Sequence, residues 1–196
     1  MDLTPVVLEG SRVRLEPLSL LHLGQLCDVG LDEELWKLTT SLILTPEAMK
    51  RYIMAALEEA AKGRALPFAT IDKPSGRAVG STRFGNIDAN HRRVEIGWTW
   101  IARPWQRTSV NTEAKYLLLS HAFDTLGCIR VEFKTDSTNI RSRAALSRIG
   151  AKEEGTMRNH MIVQGGRIRH SVYFSIVDSE WPDVRKDLEA KLRERY

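Results

Sequence analysis

The residues from Gln106 to Thr112 (QRTSVNT) stand directly before or at the start of a predicted helix, and their chemistry suits an anion. A helix N-terminus exposes unpaired backbone amides and carries about half a positive charge from its aligned peptide dipoles. Phosphate binds there through the backbone, so side chains matter mainly by leaving room. Ser109 is small and Asn111 tolerates left-handed geometry, which keeps the loop usable. An ordinary helix capped by Asn111 or Thr112 is the alternative interpretation.

Glu95 is the second residue that could do chemistry. It lies in VEIGWTWI, residues 94–101, where side chains should alternate between the two faces of a strand. The alternation predicts an apolar face, on which Trp98 and Trp100 belong to the core, and an opposite face that carries Glu95. A carboxylate beside small residues can border a cleft and act as a general base. The structural alternative is a salt bridge to Arg92, Arg93 or a neighbouring strand.

The composition indicates one folded domain over residues 1–196. The chain is 42% hydrophobic and 28% charged, with a net charge of +4, and its pI is about 9.2. These values are ordinary for a globular protein and exclude a disordered chain. The positive charge suits an anionic ligand, but the arginines are not interleaved with aromatic residues. Direct binding of nucleic acid is therefore not expected.

The cysteines and the N-terminus favour a cytoplasmic location. Cys27 and Cys128 are the only cysteines, they provide no disulfide framework, and both are predicted to be small core residues. The histidines show no metal-ligand spacing, so no metal is expected. The first residues, MDLTPVVLEG, do not resemble a signal peptide, and no apolar run is long enough to cross a membrane.

The local patterns predict an alternation of strands and helices. Strands are expected at 12–18, at two segments within 66–88 around the turn DKPSGR, at 94–101, at 129–135 and in a hairpin at 151–177. Short helices are expected within 19–37. Longer helices should begin at Thr45-Pro46, after the loop at 106–112, near Thr138 and before Val184. The first of them should bury Met49, Ile53 and Leu57 and end at Gly63.

This order predicts an α+β (mixed α/β) fold with one mostly antiparallel sheet and helices on both faces. The helix between the strands at 94–101 and 129–135 is a crossover connection, so these two strands should be parallel. An anion site at the carboxyl end of the first strand would lie where open sheets commonly bind ligands.

These motifs together resemble the GNAT superfamily of acyl-CoA-dependent N-acetyltransferases, especially its branch of ribosomal-protein N-terminal acetyltransferases. The family signature is a strand ending in a bulge, followed by Q/R-x-x-G-x-G/A at the start of a helix. Residues 106–111 match it, with Ser109 and Asn111 in the places of the small residues, after EIGWTWIARPW. The segment VEFKTDSTNIRSRAALSRIGAKEEG resembles the second half of the family domain, and the resemblance extends from Arg12 to residue 182.

The resemblance implies acetyl-CoA as cosubstrate and assigns residues to bind it. Strands 94–101 and 129–135 would splay beyond a bulge, and the pantetheine chain would pair with backbone around Trp100 and Ile101. The pyrophosphate would lie on the amides from Arg107 to Thr112. Asn139 matches the family asparagine that binds the pantetheine region, with a helix cap as the alternative. The cofactor-binding residues that the resemblance implies are Trp100, Ile101, Gln106, Arg107, Thr108, Ser109, Val110, Asn111, Thr112, Asn139, Arg141 and Arg143. Among them, Arg107, Arg141 and Arg143 are candidates for the nucleotide phosphates.

The resemblance also implies the catalytic groups. Glu95 occupies the place where several family members have a general-base glutamate, and it is expected to work through a water molecule. Leu146 stands where the superfamily usually has a tyrosine that donates a proton to the thiolate. Ser142 matches a serine proposed for this role in the ribosomal-protein branch, and a helix residue bonded to a backbone carbonyl is the alternative.

Two functions follow as hypotheses. The first is an N-acetyltransferase that moves an acetyl group directly to an amine, either a protein N-terminus or a small molecule. The second is an inactive basic binding module of the same fold, for which the ribosome is a candidate partner. A homodimer is compatible with the sequence, and no membrane partner is expected.

Overall fold

The computed structural model describes residues 1–194. The strands are β1 (Leu8–Glu9), β2 (Val13–Pro17), β3 (Leu66–Asp72), β4 (Arg77–Asp88), β5 (Arg93–Ile101), β6 (Arg130–Asp136), β7 (Lys152–Ile162) and β8 (Ile168–Val177). The helices are α1 (Leu23–Gly30), α2 (Pro46–Ala61), α3 (Val110–Ser120), α4 (Ile140–Arg148) and α5 (Trp181–Arg193). A π-helical turn, His121–Thr125, extends α3. The predicted elements are confirmed, and β1 is one short strand that the sequence patterns did not predict.

All eight strands form one sheet in the order β1-β2-β3-β4-β5-β6-β8-β7. Every neighbouring pair is antiparallel except β5 and β6, which are parallel as predicted. The parallel pairing is short: it joins Arg93 to Arg130, Val94 to Val131 and Glu95 to Glu132. Beyond these residues the two strands diverge. The fold prediction of a mostly antiparallel sheet with a splayed parallel pair is therefore confirmed.

Helices cover both faces of the sheet and create two cores. The larger core lies under α3, α4 and α5 and contains Phe84, Val94, Leu118 and Phe133. The smaller core lies under α1 and α2 and contains Trp36, Met49, Ile53 and Trp100. We refer to the side of the sheet that faces α2 as the α2 face and to the opposite side as the α3 face.

The start of α2 follows the sequence signals closely. Thr45 caps the helix, because its hydroxyl accepts a hydrogen bond from the backbone N–H of Ala48 at 3.2 Å, and Pro46 occupies the first helical position. Met49 and Ile53 are fully buried as predicted, but the third buried residue is Ala56, and Leu57 is only half-buried. The contact face is thus rotated by one residue from the predicted stripe.

The predicted alternation in β5 is wrong beyond Gly97. Arg83 of β4 pairs with Gly97, whereas Ser81 pairs with Trp100, so β5 contains one extra residue between these pairs. Trp98 has a φ of 49° at this bulge and is 37% exposed, so it is not a core residue. The bulge also separates Trp100 from Val94 and Ile96: Trp100 packs in the core under α2, and the other two pack in the core under α3.

Within residues 1–194, no helix combines the length and apolar character that crossing a membrane requires. The same residues contain no group of three or more His, Cys, Asp or Glu side chains that could hold a metal ion. Cys128 is buried as predicted, and Cys27 is half-buried.

Candidate functional site

The divergence of β5 and β6 creates a gap in the middle of the sheet. After Glu95, β5 has no strand partner on its β6 side in the described part of the chain, although it stays paired with β4 up to Ile101. The side chains of Trp100 and Ile101 are buried in the two cores. The backbone of this part of β5 is therefore the feature that a molecule in the gap could contact.

The loop that follows β5 leads into the N-terminus of α3. The residue in the left-handed conformation is Arg107, with a φ of 62°. Ser109 and Asn111, which stand where the family motif has its small residues, are not left-handed. Ser109 has a φ of −69°, and Asn111 lies within the first turn of α3. Both are in conformations that any residue adopts, so side chains at these two positions do not strain the backbone.

The helix cap expected at Asn111 or Thr112 is wrong. Helix α3 begins at Val110, with Ser109 as the preceding cap residue, and no side chain makes a capping hydrogen bond of the usual kind. The hydroxyl of Thr108 accepts a weak hydrogen bond from the N–H of Val110 at 3.3 Å. The N–H groups of Asn111 and Thr112, in the first turn, have no acceptor within the helix. The start of the helix therefore leaves backbone amides without acceptors inside the helix, as an anion site requires.

Two side chains of the loop fix its shape instead of projecting outward. The Nε2 group of Gln106 donates to the carbonyl of Ile101 at 2.8 Å, and the hydroxyl of Thr108 donates to the carbonyl of Trp105 at 2.7 Å. Ser109 and Val110 are buried, so they can contribute only backbone groups to a ligand outside. Arg107 is exposed.

The second group of predicted residues lies at the start of α4. The Oδ1 atom of Asn139 accepts a hydrogen bond from the N–H of Ser142 at 3.0 Å, so this asparagine caps the helix. The cap occupies its oxygen and leaves its amide N–H groups without an acceptor among the described residues. Arg143 forms an ion pair with Glu153 at 3.1 Å, and Arg141 is exposed. Leu146 is buried and apolar.

Glu95 is buried on the α2 face, at the point where β5 and β6 separate. It is 4% exposed. Its Oε2 atom accepts hydrogen bonds from Asn86 Nδ2 at 2.7 Å and from Lys134 Nζ at 3.3 Å. The other oxygen, Oε1, has no donor among the described residues and lies next to Gly97, where a Cβ atom would approach it to 2.8 Å. One carboxylate oxygen is thus held in place while the other stays open.

The alternative of a salt bridge is partly realised, because Lys134 on β6 is a basic partner of Glu95. Arg93 pairs with Asp88 and Glu132 instead. The sequence did carry a signal for Lys134. In a strand at 129–135 it comes two residues after Glu132, so the two side chains share one face of the sheet, which is also the face of Glu95. Asn86 carried no such signal, because its position depends on the hairpin between β4 and β5.

Glu95 lines a cleft of about 700 Å³ on the α2 face. Polar and charged groups dominate its walls. Tyr173 and Met157 form the wall opposite β5, and the remaining lining includes Asn86, Asp88, Arg93 and Glu132. Nearby, the Arg83 guanidinium lies between the rings of Trp98 (4.8 Å) and Tyr52 (5.2 Å). Nothing in the sequence indicates this aromatic clamp, which exists only because the bulge turns Trp98 toward α2.

Helix α3 carries two buried charged residues on the opposite face. The Glu113 carboxylate accepts hydrogen bonds from the backbone N–H groups of Ser11, Arg12 and Val13, at 2.7, 2.9 and 2.7 Å. Lys115 donates from Nζ to the Thr99 hydroxyl at 2.7 Å. Burial lowers the pKa of Lys115 from 10.5 to about 7. Nothing in the sequence singles out either residue.

The structure therefore brings together some of the predicted residues and separates others. The gap, the loop at 106–112 and the start of α4 are arranged around the carboxyl ends of β5 and β6, and Glu95 lies where the gap begins. Arg143 is engaged in its ion pair with Glu153. Ser142 is held through its backbone N–H, and its hydroxyl has no partner among the described residues.

Comparisons with known proteins agree on one class of enzyme, the acetyltransferases. Residues 12–152 match the family model described as "Acetyltransferase (GNAT) domain". The chain is 36% identical over 107 residues to YdaF of Bacillus subtilis (strain 168), whose name proposes a ribosomal N-acetyltransferase activity. That alignment covers 54% of this chain and 57% of YdaF, so the chain spans little more than half of that relative.

Solved structures extend the similarity over almost the full chain. A GCN5-related N-acetyltransferase from Brucella melitensis is 33% identical, with a TM-score of 0.87 over 95% of this chain and 85% of that one. RimJ from Mycobacterium smegmatis, solved in complex with CoA-disulfide, has a TM-score of 0.83 over 97% of both chains. Its 24% identity makes it a likeness of fold.

Proposed function

The chain belongs to the GNAT family of acetyltransferases, and from this membership we propose that it transfers an acetyl group from acetyl-CoA to the N-terminal amine of a protein. The transfer is direct, without a covalent enzyme intermediate. Glu95 is the general base. The observation that carries this proposal is the Glu95 carboxylate, which is buried, held on one oxygen and open on the other.

The residues around the gap fit coenzyme A. The unpaired backbone of β5 from Gly97 to Ile101 would hold the amide groups of the pantetheine chain. The left-handed Arg107 and the start of α3 turn the amides of residues 107–112 toward a diphosphate, and Arg107 and Arg141 are exposed for the remaining phosphate charge. The free amide N–H groups of Asn139 would contact the pantetheine from α4. When bound, acetyl-CoA supplies the acetyl group as an activated thioester.

Glu95 performs the proton transfer in this proposal. An acceptor amine enters as an ammonium ion and must lose a proton before it can attack. The Oε1 atom takes this proton through a water molecule, while Asn86 and Lys134 keep the carboxylate in one orientation.

The choice of a protein N-terminus rests on the cleft and on the relatives. A cleft of about 700 Å³ whose walls are mainly polar suits several residues of an extended peptide, because the peptide backbone offers polar groups along its length. The name of YdaF associates that relative with ribosomal acetylation. A small amine is the other acceptor class, and the assay below decides between them.

Binding of coenzyme A is tested by thermal unfolding. A ligand at one hundred times its Kd stabilises the folded state by about 2.7 kcal/mol. We expect acetyl-CoA to raise the Tm at constant ionic strength, whereas adenosine should not. If the Tm is unchanged and calorimetry also detects no binding, acetyl-CoA is not the cosubstrate. The hypothesis of an inactive binding module would then be favoured.

Turnover is tested by release of free thiol with a panel of N-terminal peptides and small amines. Glu95→Gln should lower kcat by roughly 100- to 10,000-fold and leave the affinity for coenzyme A intact. Glu16→Gln is the matched control, because Glu16 is also a strand carboxylate beside basic groups, Arg14 and His22, but lies far from the cleft along the sheet. A Glu95→Gln enzyme as fast as the control would exclude Glu95 as the base. Turnover of small amines alone would assign the protein to the other acceptor class.

A further inference from the structure

Lys115 lies on the α3 face of the gap between β5 and β6. Its Nζ atom contacts both strands: it donates to the Thr99 hydroxyl of β5 at 2.7 Å and lies 5.8 Å from the ring centre of Phe133 on β6. Thr99 comes four residues after Glu95, the last residue of β5 that pairs with β6, and Phe133 comes directly after Glu132, its partner. Both contacts therefore lie beyond the point where the strands separate.

The lysine is buried without the partners that a buried cation needs. It is 5% exposed, and the Thr99 hydroxyl is its single hydrogen-bond acceptor among the described residues. An ammonium group has three donors. Within residues 1–194 no carboxylate forms an ion pair with it, and the groups behind it, Thr99 and Thr82, are neutral. Buried donors without acceptors are rare, and they require a structural or functional reason.

The cost of this arrangement points to function. Burial is the whole cause of the lowered pKa of Lys115, about 7. An apolar side chain of similar length would fill the same space without that cost. Perturbed titratable groups of this kind concentrate at functional sites.

We propose that Lys115 protonates the thiolate of coenzyme A when the acetyl group leaves, an inference that rests on the proposed function. As the acceptor nitrogen forms its bond to the acetyl carbon, the carbon–sulfur bond breaks and its electron pair stays on sulfur. The Lys115 ammonium gives one proton to that sulfur and becomes a neutral amine. The acceptor ammonium loses one proton to Glu95 before the attack and a second to water as the amide forms. After the products leave, Glu95 releases its proton to solvent and Lys115 regains one. The net reaction converts an ammonium ion and a thioester into an amide, a thiol and one proton.

Lys115 suits this role better than the groups expected from the sequence. Leu146 cannot donate a proton, and a serine hydroxyl such as Ser142 is a very weak acid. An acid whose pKa lies near neutral can give its proton to a thiolate and recover it at the pH of the reaction. The position in the gap supplies the second requirement, which is access to the sulfur from the face opposite Glu95.

The test begins with an equilibrium measurement that needs no acceptor. The thiol of bound coenzyme A is titrated by the ultraviolet absorbance of its thiolate, in the wild type and in Lys115→Met. Lys62→Met is the control, because Lys62 is an exposed lysine at the end of α2. In the wild type and the control we expect bound coenzyme A to show roughly tenfold more thiolate at pH 7 than in Lys115→Met. An equal thiolate fraction in all three proteins would overturn the proposal.

The second measurement is turnover across pH. Lys115→Met should lower kcat roughly 100-fold with little change in the KM for acetyl-CoA. The protonated lysine is the active form, so wild-type kcat should decline on the alkaline side, and this decline should be absent in Lys115→Met. An unchanged kcat and pH profile would overturn the proposal. A melting temperature at or above the wild-type value verifies that the variant is folded.

The outcomes separate this inference from the proposed function. If coenzyme A does not bind the wild type, both fail. If it binds and the thiol titrates identically with and without Lys115, the role of Lys115 fails and the proposed function stands. If the thiolate fraction depends on Lys115 but no amine is acetylated, the acceptor proposal fails and Lys115 retains its interaction with the sulfur.

Discussion

Two buried charges on α3, separated by a single residue, have opposite surroundings. Glu113 is 4% exposed and Lys115 is 5% exposed. Three backbone N–H groups surround the carboxylate of Glu113 and join α3 to the turn between β1 and β2. Lys115 has one neutral acceptor on a strand that borders the gap.

The difference indicates how a buried charge can be interpreted. A charge with a complete set of hydrogen bonds holds two elements together, and its removal leaves other polar groups unpaired. A charge with an incomplete set costs stability, so its presence calls for a ligand or a reaction. On this view Glu113 belongs to the architecture and Lys115 to the chemistry.

The largest effect should come from Glu113→Ala. This change leaves three backbone N–H groups near the surface of the core without an acceptor, and each unsatisfied group costs roughly 1–3 kcal/mol. We expect the free energy of unfolding in urea to fall by about 4 kcal/mol. Glu59→Ala, which removes an exposed partner of Arg64, should cost less than about 1 kcal/mol. If Glu113→Ala lowers the free energy of unfolding as little as Glu59→Ala does, water has replaced the carboxylate as the acceptor. The contrast between Glu113 and Lys115 would then not hold.

The second effect has the opposite sign. Lys115→Met should raise the free energy of unfolding at pH 7 by about 2 kcal/mol, because replacing a buried, poorly paired charge with an apolar side chain removes its desolvation cost. Urea unfolding measures this, with Lys62→Met as the neutral comparison. A loss comparable to that of Glu113→Ala would place Lys115 in the architecture as well.

The third effect is a dependence of stability on pH. The pKa of Lys115 is about 7 in the folded state, below its ordinary value of 10.5, so the unfolded chain binds more protons between these values. The destabilisation is complete below pH 7 and is relieved as the pH rises toward 10.5. Relative to Lys115→Met, the free energy of unfolding of the wild type should therefore rise between pH 7 and 10.5, until the difference of about 2 kcal/mol between the two proteins has disappeared. Parallel curves for the two proteins would show that the lysine is not desolvated.

The smallest effect concerns Gly10, whose freedom from a side chain lets the turn approach Glu113. A Cβ atom at this position would lie 2.6 Å from Glu113 Oε1. Gly10→Ala should therefore cost about 1 kcal/mol in the wild type and almost nothing in the Glu113→Ala background. Equal costs in both backgrounds would show that the carboxylate does not set the shape of the turn.

The sequence predicted the features that local signals control. Thr45-Pro46 located the start of α2, and the crossover helix required β5 and β6 to be parallel. Each of these depends on a few adjacent residues or on a general rule of connection. The resemblance to a family then supplied the gap and the role of the loop.

The features that the sequence could not show depend on residues far apart in the chain. An extra residue in β5 is invisible to a pattern of period two, so Trp98 was placed on the wrong face. The burial of Lys115 depends on Thr99 and Phe133, and a lysine in a helix is usually solvated. The left-handed residue of the loop is Arg107. A glycine motif would place that conformation at Ser109 or Asn111, but the loop turns before these residues.

The bulge at Trp98 allows β5 to lose a residue without repacking either core. If Trp98 were deleted, Gly97, Thr99 and Trp100 would follow one another opposite Arg83, Thr82 and Ser81 in a regular pleat. Trp100 would keep its contact with Trp36, 5.3 Å away between ring centres, and Thr99 would stay on the side of Lys115. The deletion would remove the ring over the Arg83 guanidinium, so this one position can change the wall beside the cleft while the rest of the sheet stays as it is.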